Sequence, residues 1–415
     1  MKDLKGAALL GQSGGPTSVI NASAAGVFIE ALAQENITEV YGAIHGIKGI
    51  LDEDFYDIGK EDLDELKRLK NTPSSAIGSV RYKMKNPKVD DSEYQRLLEV
   101  FRKYNIRYFF YNGGNDSMDT CNKISKYFKN AGFDCNVMGV PKTIDNDLNV
   151  TDHSPGYASA AKYVATTFME LYHDAVVYDI EQVTIVEVMG RNAGWLTAAA
   201  ALAQAKGQGP DLIYLPEVPF DIEKFFEQVD AVLKARGNVI VAVSEGIKTK
   251  DGKYIPELYQ ENIKKDAFGH AQLGGTAQVL AQELSARRQV KVRAIEFSLL
   301  QRCAAHLASK IDVNEAYNAG KRAVKAAVKG STDKMVGFKR ISSNPYKMKY
   351  VLIPLKQAAN TEQKVPLEWI LPDGKGMTQD FIDYALPLIQ GDDKAALVDG
   401  LPHFAQLKKI RVEKK

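Results

Sequence analysis

The sequence predicts an α/β protein of two doubly wound lobes with parallel-rich sheets and a carboxyl-terminal extension. Three observations lead there. The 415 residues exceed one ordinary core, since domains run to about 150 residues. Short apolar runs bounded by glycine recur through most of the chain, and stretches with helical spacing separate them. That alternation is the pattern of βαβ units, whose buried parallel strands read as continuous apolar runs.

Taken in order, the runs Ala7–Leu10, Val40–Ile44, Tyr108–Tyr111, Val137–Val140, Val183–Val188, Leu212–Leu215 and Val239–Val243 read as strands. Ala158–Tyr172 and Ile222–Lys234 read as helices between them. From Gly330 onward the rhythm fades, punctuated by Ser342-Ser343-Asn344-Pro345, Pro366 and Pro372-Asp373-Gly374, and this segment is the expected extension. Ligands of doubly wound sheets sit beyond the carboxyl ends of the strands. Three strands run directly into polar, glycine-bearing or charged turns: Leu10 into Gly11-Gln12-Ser13-Gly14-Gly15, Tyr111 into Asn112-Gly113-Gly114-Asn115-Asp116, and Val140 into Pro141-Lys142-Thr143-Ile144-Asp145. These turns are the expected rim of a site.

Composition narrows the partners. A net charge of +2 supplies no bulk field for gripping nucleic acid or an anionic membrane, so any anion site must be local. The cysteines Cys121, Cys135 and Cys303 fit no zinc or redox spacing and read as thiols of a reducing compartment. The amino end has too short an apolar run for a signal peptide, and no stretch reaches the roughly 18 apolar residues of a membrane span. A cytoplasmic protein is expected.

Each turn carries its own chemistry. Glycines between strand and helix in Gly11–Asn21 let backbone N–H groups approach a phosphate, though a plain tight turn suits them equally. The Walker A spacing is absent. Asn115, Asp116 and Ser117 could offer oxygen ligands to magnesium beside a phosphate, or simply cap a helix. Lys142, Thr143, Asp145 and Asp147 place a cation and two carboxylates in one short loop. Phosphoryl transfer asks for that set: a base for the acceptor hydroxyl, and positive charge aimed at the transferring group. Met189-Gly190-Arg191 would present amides and a guanidinium to an anionic sugar, and Glu245 ends an apolar strand where a carboxylate can accept sugar hydroxyls. Lys291, Arg293 and Arg302 form a late cationic segment.

In this order, over roughly residues 6 to 330, the segments resemble the phosphofructokinase family. The resemblance implies two Rossmann-like lobes: residues 1–150 for the donor and metal, 151–300 for fructose 6-phosphate, and 301–415 returning to the first lobe with the extension. It makes Asp145 the base in Thr143-Ile144-Asp145-Asn146-Asp147, with Asp147 supporting it and the metal. It assigns Met189, Gly190, Arg191 and Glu245 to the sugar, Arg293 and Arg302 to its 6-phosphate, and Arg81 with the Gly14 turn to the donor phosphate.

Asp116 and Lys142 stand where ATP-using members generally carry glycine, and pyrophosphate-using members resemble this chain there. The carboxylate would repel a nucleotide's α-phosphate, and the ammonium would stabilise the small leaving phosphate. The resemblance therefore implies Mg²⁺ held near Asn115 and Asp116, pyrophosphate as donor, and a non-allosteric homodimer or homotetramer. Three positions depart from the family pattern: Asn115 replaces an acid, Gln182 an arginine that reaches a neighbouring subunit, and Leu299 a tyrosine or histidine of the phosphate site. An ATP-dependent enzyme of the same fold and a non-catalytic sugar-phosphate-binding regulatory subunit are the rival readings.

Overall fold

The computed structural model describes residues 4–258, 275–359 and 362–415. It divides into two compact units, one of residues 1–159, 302–362 and 391–415, the other of residues 160–301 and 363–390. The strands of the first unit are β1 (Gly6–Ser13), β2 (Ile37–Ala43), β3 (Phe55–Asp57), β4 (Ser79–Val80), β5 (Ile106–Gly113) and β6 (Asn136–Pro141). The second unit holds β7 (Gln182–Val188), β8 (Leu212–Tyr214), β9 (Asn238–Ser244) and β10 (Lys291–Glu296), and the chain then returns to the first with β11 (Lys334–Ser343) and β12 (Tyr346–Pro354).

The larger sheet runs β12-β11-β6-β5-β1-β2-β3, with β4 pairing the end of β1. It is parallel except for β2–β3 and β11–β12. Side chains alternate across it: Ala7, Leu9, Phe109 and Val137 enter one apolar cluster, while Ala8, Leu10, Phe110 and Met138 enter the other. Burial on both faces explains why these strands read as unbroken apolar runs. The register has a direct consequence. Gln12 pairs Asn112, and Asn112 pairs Val140, so β1, β5 and β6 end level and release their three polar turns side by side. The direction of winding reverses between β1 and β5, the crevice where doubly wound sheets bind ligands.

The smaller sheet, β10-β7-β9-β8, is wholly parallel. Val188 pairs Ser244, so the turns after β7 and β9 also leave together.

The extension differs from its sequence reading. Residues 334–354 form a long antiparallel hairpin that completes one edge of the larger sheet. Residues 363–390 belong to the second unit, where Trp369, Phe381 and Tyr384 surround the buried Trp195, whose indole N–H donates to the Gln363 carbonyl at 2.9 Å. The last residues lie along β3: Asp57 N–H donates to Ile410 O and Val412 N–H to Phe55 O, both at 2.9 Å, so an otherwise open sheet edge is paired. Among the described residues no helix is long and apolar enough to cross a membrane, and no disulfide joins the cysteines.

Candidate active site

At the carboxyl ends of β1, β4, β5 and β6, cations gather over two glycines. Gly14 has φ +77°, in the left-handed region that glycine reaches without strain. Its N–H donates to Val80 O at 3.1 Å, and the Ser79 hydroxyl donates to Gly14 O at 2.7 Å, which lays β4 and the following Arg81 against the turn. A Cβ on Gly14 would stand 3.3 Å from Lys142 Nζ. On Gly15 it would stand 3.0 Å from an Arg302 Nη and 3.8 Å from one of Arg81. Both glycines therefore leave room beside three cationic side chains. Lys142 Nζ donates to the Gly15 carbonyl.

Lys142 is only 4% exposed. Burial pushes its ammonium down to about 8; Asp145 opposes that shift, while Arg81 and Arg302 reinforce it. Arg302 is likewise drawn down, by burial and then by Arg81. Cations crowded in this way are relieved by an anion, and a small polyanion relieves them most.

The loop after β6 is held by its backbone. Lys142 N–H donates to Gly113 O at 3.0 Å, Thr143 N–H to Pro155 O at 3.1 Å, and Asp145 N–H to the Thr143 hydroxyl at 3.1 Å. Ile144 is buried beneath. Asn146 takes φ +55°, a conformation asparagine tolerates better than most residues, and its side-chain oxygen accepts from Ser154 N–H at 2.9 Å. Asp145 and Asp147 thus flank one left-handed residue that is itself tied down.

Asp147 is pushed up to about 7, first by burial, then by Asp145 and by Glu362. Glu362 is a participant that local sequence gives no sign of: it reaches the loop through an antiparallel bridge to Leu148 from far along the chain. Asn115 Nδ2 donates to Asp147 Oδ2 at 2.9 Å. Asn115 Oδ1 and Asp147 Oδ1 are both buried without a hydrogen-bond partner. Two such oxygens on neighbouring side chains suit a hard cation. Among the described residues no group of three or more His, Cys, Asp or Glu side chains is placed to hold a metal alone, so a cation here would depend on ligand oxygens, as Mg²⁺ commonly does. Asp116 lies exposed in the first turn of the helix Asn115–Asn130, one residue beyond Asn115.

The second unit gathers the other expected residues. Gly190 has φ +141°, its N–H approaches Glu245 Oε1 at 3.3 Å, and its carbonyl accepts from the Ser244 hydroxyl. Met189 N–H donates to Gln301 Oε1 at 3.2 Å. A Cβ on Gly246 would lie 2.0 Å from Arg191 O, so only glycine allows these turns to close on each other. Met189, Gly190, Arg191 and Glu245 therefore share one place. Glu217 supports it from below, accepting from Gly194 N–H at 2.8 Å and from Val365 N–H at 3.1 Å.

Arg293 stands apart from that cluster. Arg293 pairs Thr184 in the body of the sheet, three residues or about 10 Å short of the end of β10. It donates to Gln182 Oε1 at 2.8 Å, so the glutamine in the departing position orients the arginine. Leu299 is exposed. Arg302, grouped with Arg293 by sequence, stands in the first unit with Lys142 and Arg81. No local motif distinguishes the two arginines.

The chain is similar to known proteins over nearly its whole length. A family model described as phosphofructokinase matches residues 8–326. The pyrophosphate–fructose 6-phosphate 1-phosphotransferase of Halomonas elongata is 44% identical over 413 residues, 98% of this chain and 97% of that protein. The crystal structure of the pyrophosphate-dependent phosphofructokinase of Nitrosospira multiformis superimposes with a TM-score of 0.90 at 40% identity, covering 99% of this chain and 98% of that one. That of Marinobacter aquaeolei gives 0.89 at 40% identity with the same coverage. Level strand ends, a cationic glycine turn and near full-length similarity lead to one conclusion: the chain belongs to the phosphofructokinase family.

Proposed function

We propose that the protein transfers a phosphoryl group reversibly from inorganic pyrophosphate to the 1-hydroxyl of fructose 6-phosphate, giving fructose 1,6-bisphosphate and phosphate. The observation that carries this reading is the buried Lys142, set with Arg81 and Arg302 over Gly14 and Gly15. Relatives similar over nearly the whole chain bear that activity in their names.

In this reading the first unit holds the donor and the second the sugar phosphate. Asp145 takes the proton of the 1-hydroxyl as the sugar oxygen bonds to phosphorus. The bridging P–O bond of pyrophosphate breaks, and Lys142, Arg81 and Arg302 hold the charge that collects on the leaving phosphate. In reverse, Asp145 returns the proton to the sugar oxygen. Arg191, Met189, Gly190 and Glu245 orient the sugar. Asn115, Asp116 and Asp147 would hold Mg²⁺, which when bound neutralises charge on donor oxygens. Arg293 is assigned to the 6-phosphate of the sugar, and the protein assembles as a homodimer or homotetramer. The protein works in the cytoplasm without an allosteric effector.

Asp116 tells against a nucleotide. A carboxylate in the first turn of a helix already occupies the electropositive end where a further phosphate would settle, and it repels one. In a coupled assay, wild-type protein is expected to turn over pyrophosphate and not ATP, and Asp116→Gly to gain measurable ATP use. Efficient turnover of ATP by the wild type, with pyrophosphate ignored, refutes the assignment of donor.

A further inference from the structure

The geometry points to His153 as a positioning residue: its imidazolium clamps the segment that holds the Asp145 loop in place. His153 is 2% exposed and both ring nitrogens meet carboxylates, Nδ1 with Asp152 Oδ1 at 2.8 Å and Nε2 with Glu315 Oε2 at 2.6 Å. Neutral imidazole has one N–H, so both bonds can be donated only by the protonated ring. The carboxylates are fixed in turn. Arg340 donates to Asp152 at 3.0 Å, and the Tyr346 hydroxyl donates to Glu315 Oε1 at 2.7 Å. The Phe338 ring packs on the imidazole at 4.9 Å between centroids. The ring is thereby tied to the helix Lys310–Val328 and to the hairpin β11–β12.

The next two residues grip the catalytic loop. Ser154 N–H donates to Asn146 Oδ1, and Pro155 O accepts from Thr143 N–H. Gly156 N–H donates to Asp312 Oδ1 at 2.9 Å on the same helix, fixing the far side of the grip. Asn146 sits between Asp145 and Asp147, so a shift of the 153–155 backbone is passed directly to the proposed base. A misplacement of about 1 Å can lower turnover by about 10²-fold without touching the substrate.

Charge gives the clamp a pH limit. The groups facing the ring are Asp152 on its own segment, Glu315 and Asp312 on the helix, and Arg340 with Tyr346 on the hairpin. Burial draws the imidazolium down, but Glu315 and Asp152 outweigh it and raise it from 6.5 to about 9. A raised histidine stabilises the fold fully below its unfolded value and loses that contribution as pH climbs through the folded one. The clamp is therefore intact at neutral pH and releases near pH 9.

The inference rests on Asp145 as base, and the kcat of Asp145→Asn, measured alongside, tests that reading by itself. At neutral pH, folded His153→Gln is expected to lose about 10- to 100-fold in kcat, with KM for both substrates within about twofold. Glu315→Gln, which keeps the shape but removes the main cause of the raised value, is expected to move the alkaline fall of kcat to lower pH. Saturating pyrophosphate keeps Lys142 protonated, which leaves that fall to His153. A folded His153→Gln variant with wild-type kcat, or a Glu315→Gln profile that coincides with the wild type, overturns the proposal, whatever either does to melting temperature.

Discussion

Asp145→Asn is expected to lower kcat by about 10²–10⁴-fold, the range for removing a positioned general base. The amide keeps the size of the side chain, and the loop's own bonds, Asp145 N–H to the Thr143 hydroxyl and Ser154 N–H to Asn146, do not involve the carboxylate. Binding should therefore survive while proton removal does not. The diagnostic pattern is a fall in kcat with KM for fructose 6-phosphate little changed, seen in both directions of the reaction, because the same group must return the proton. Wild-type kcat in this variant would move the role of base elsewhere.

Lys142→Met should lower turnover with pyrophosphate by about 10²–10³-fold, the scale for loss of one preorganised donor to developing charge. Methionine retains the apolar stem of a residue that is 4% exposed, so the loss reports the ammonium rather than a cavity. A pH dependence follows. The free-enzyme ammonium is held near 8, mainly by burial. As pH rises through that value the cation disappears, so kcat/KM for pyrophosphate falls above about 8. In the complex the bound anion favours the charged form, so the Lys142 limb is expressed in kcat/KM and not in the alkaline fall of kcat. In Lys142→Met the kcat/KM limb near 8 is gone. Its persistence would assign the titration to another group.

Much of this was legible in the sequence for a physical reason. Parallel strands buried on both faces must be apolar throughout, and the turns that follow must be polar, so β1, β5 and β6 with their turns declare themselves locally. The hairpin β11–β12 did not. Its outer half alternates half-buried and exposed residues at a sheet edge, and the expected rhythm of βαβ units is absent there. The Ser343-Asn344-Pro345 turn was visible, but nothing local said which strands it joined.

The site divides in the same way. Lys142, Asp145 and Asp147 share one short segment and could be read together. The company of Arg302, the approach of Glu362 and the carboxylate of Glu315 on His153 arise from contacts between residues distant in sequence, and those depend on topology. Asn146 is intermediate: its residue type permits a left-handed conformation, but only the fold shows that one is used.

The central claim is that a bare diphosphate fills the cationic turn at Gly14 and Gly15. Phosphorus NMR of the reverse reaction tests it most directly. Given fructose 1,6-bisphosphate, inorganic phosphate and Mg²⁺ without any nucleotide, the protein should generate the pyrophosphate resonance and fructose 6-phosphate in equal amounts. A spectrum that never develops pyrophosphate, from protein that makes ATP when ADP replaces phosphate, would contradict it.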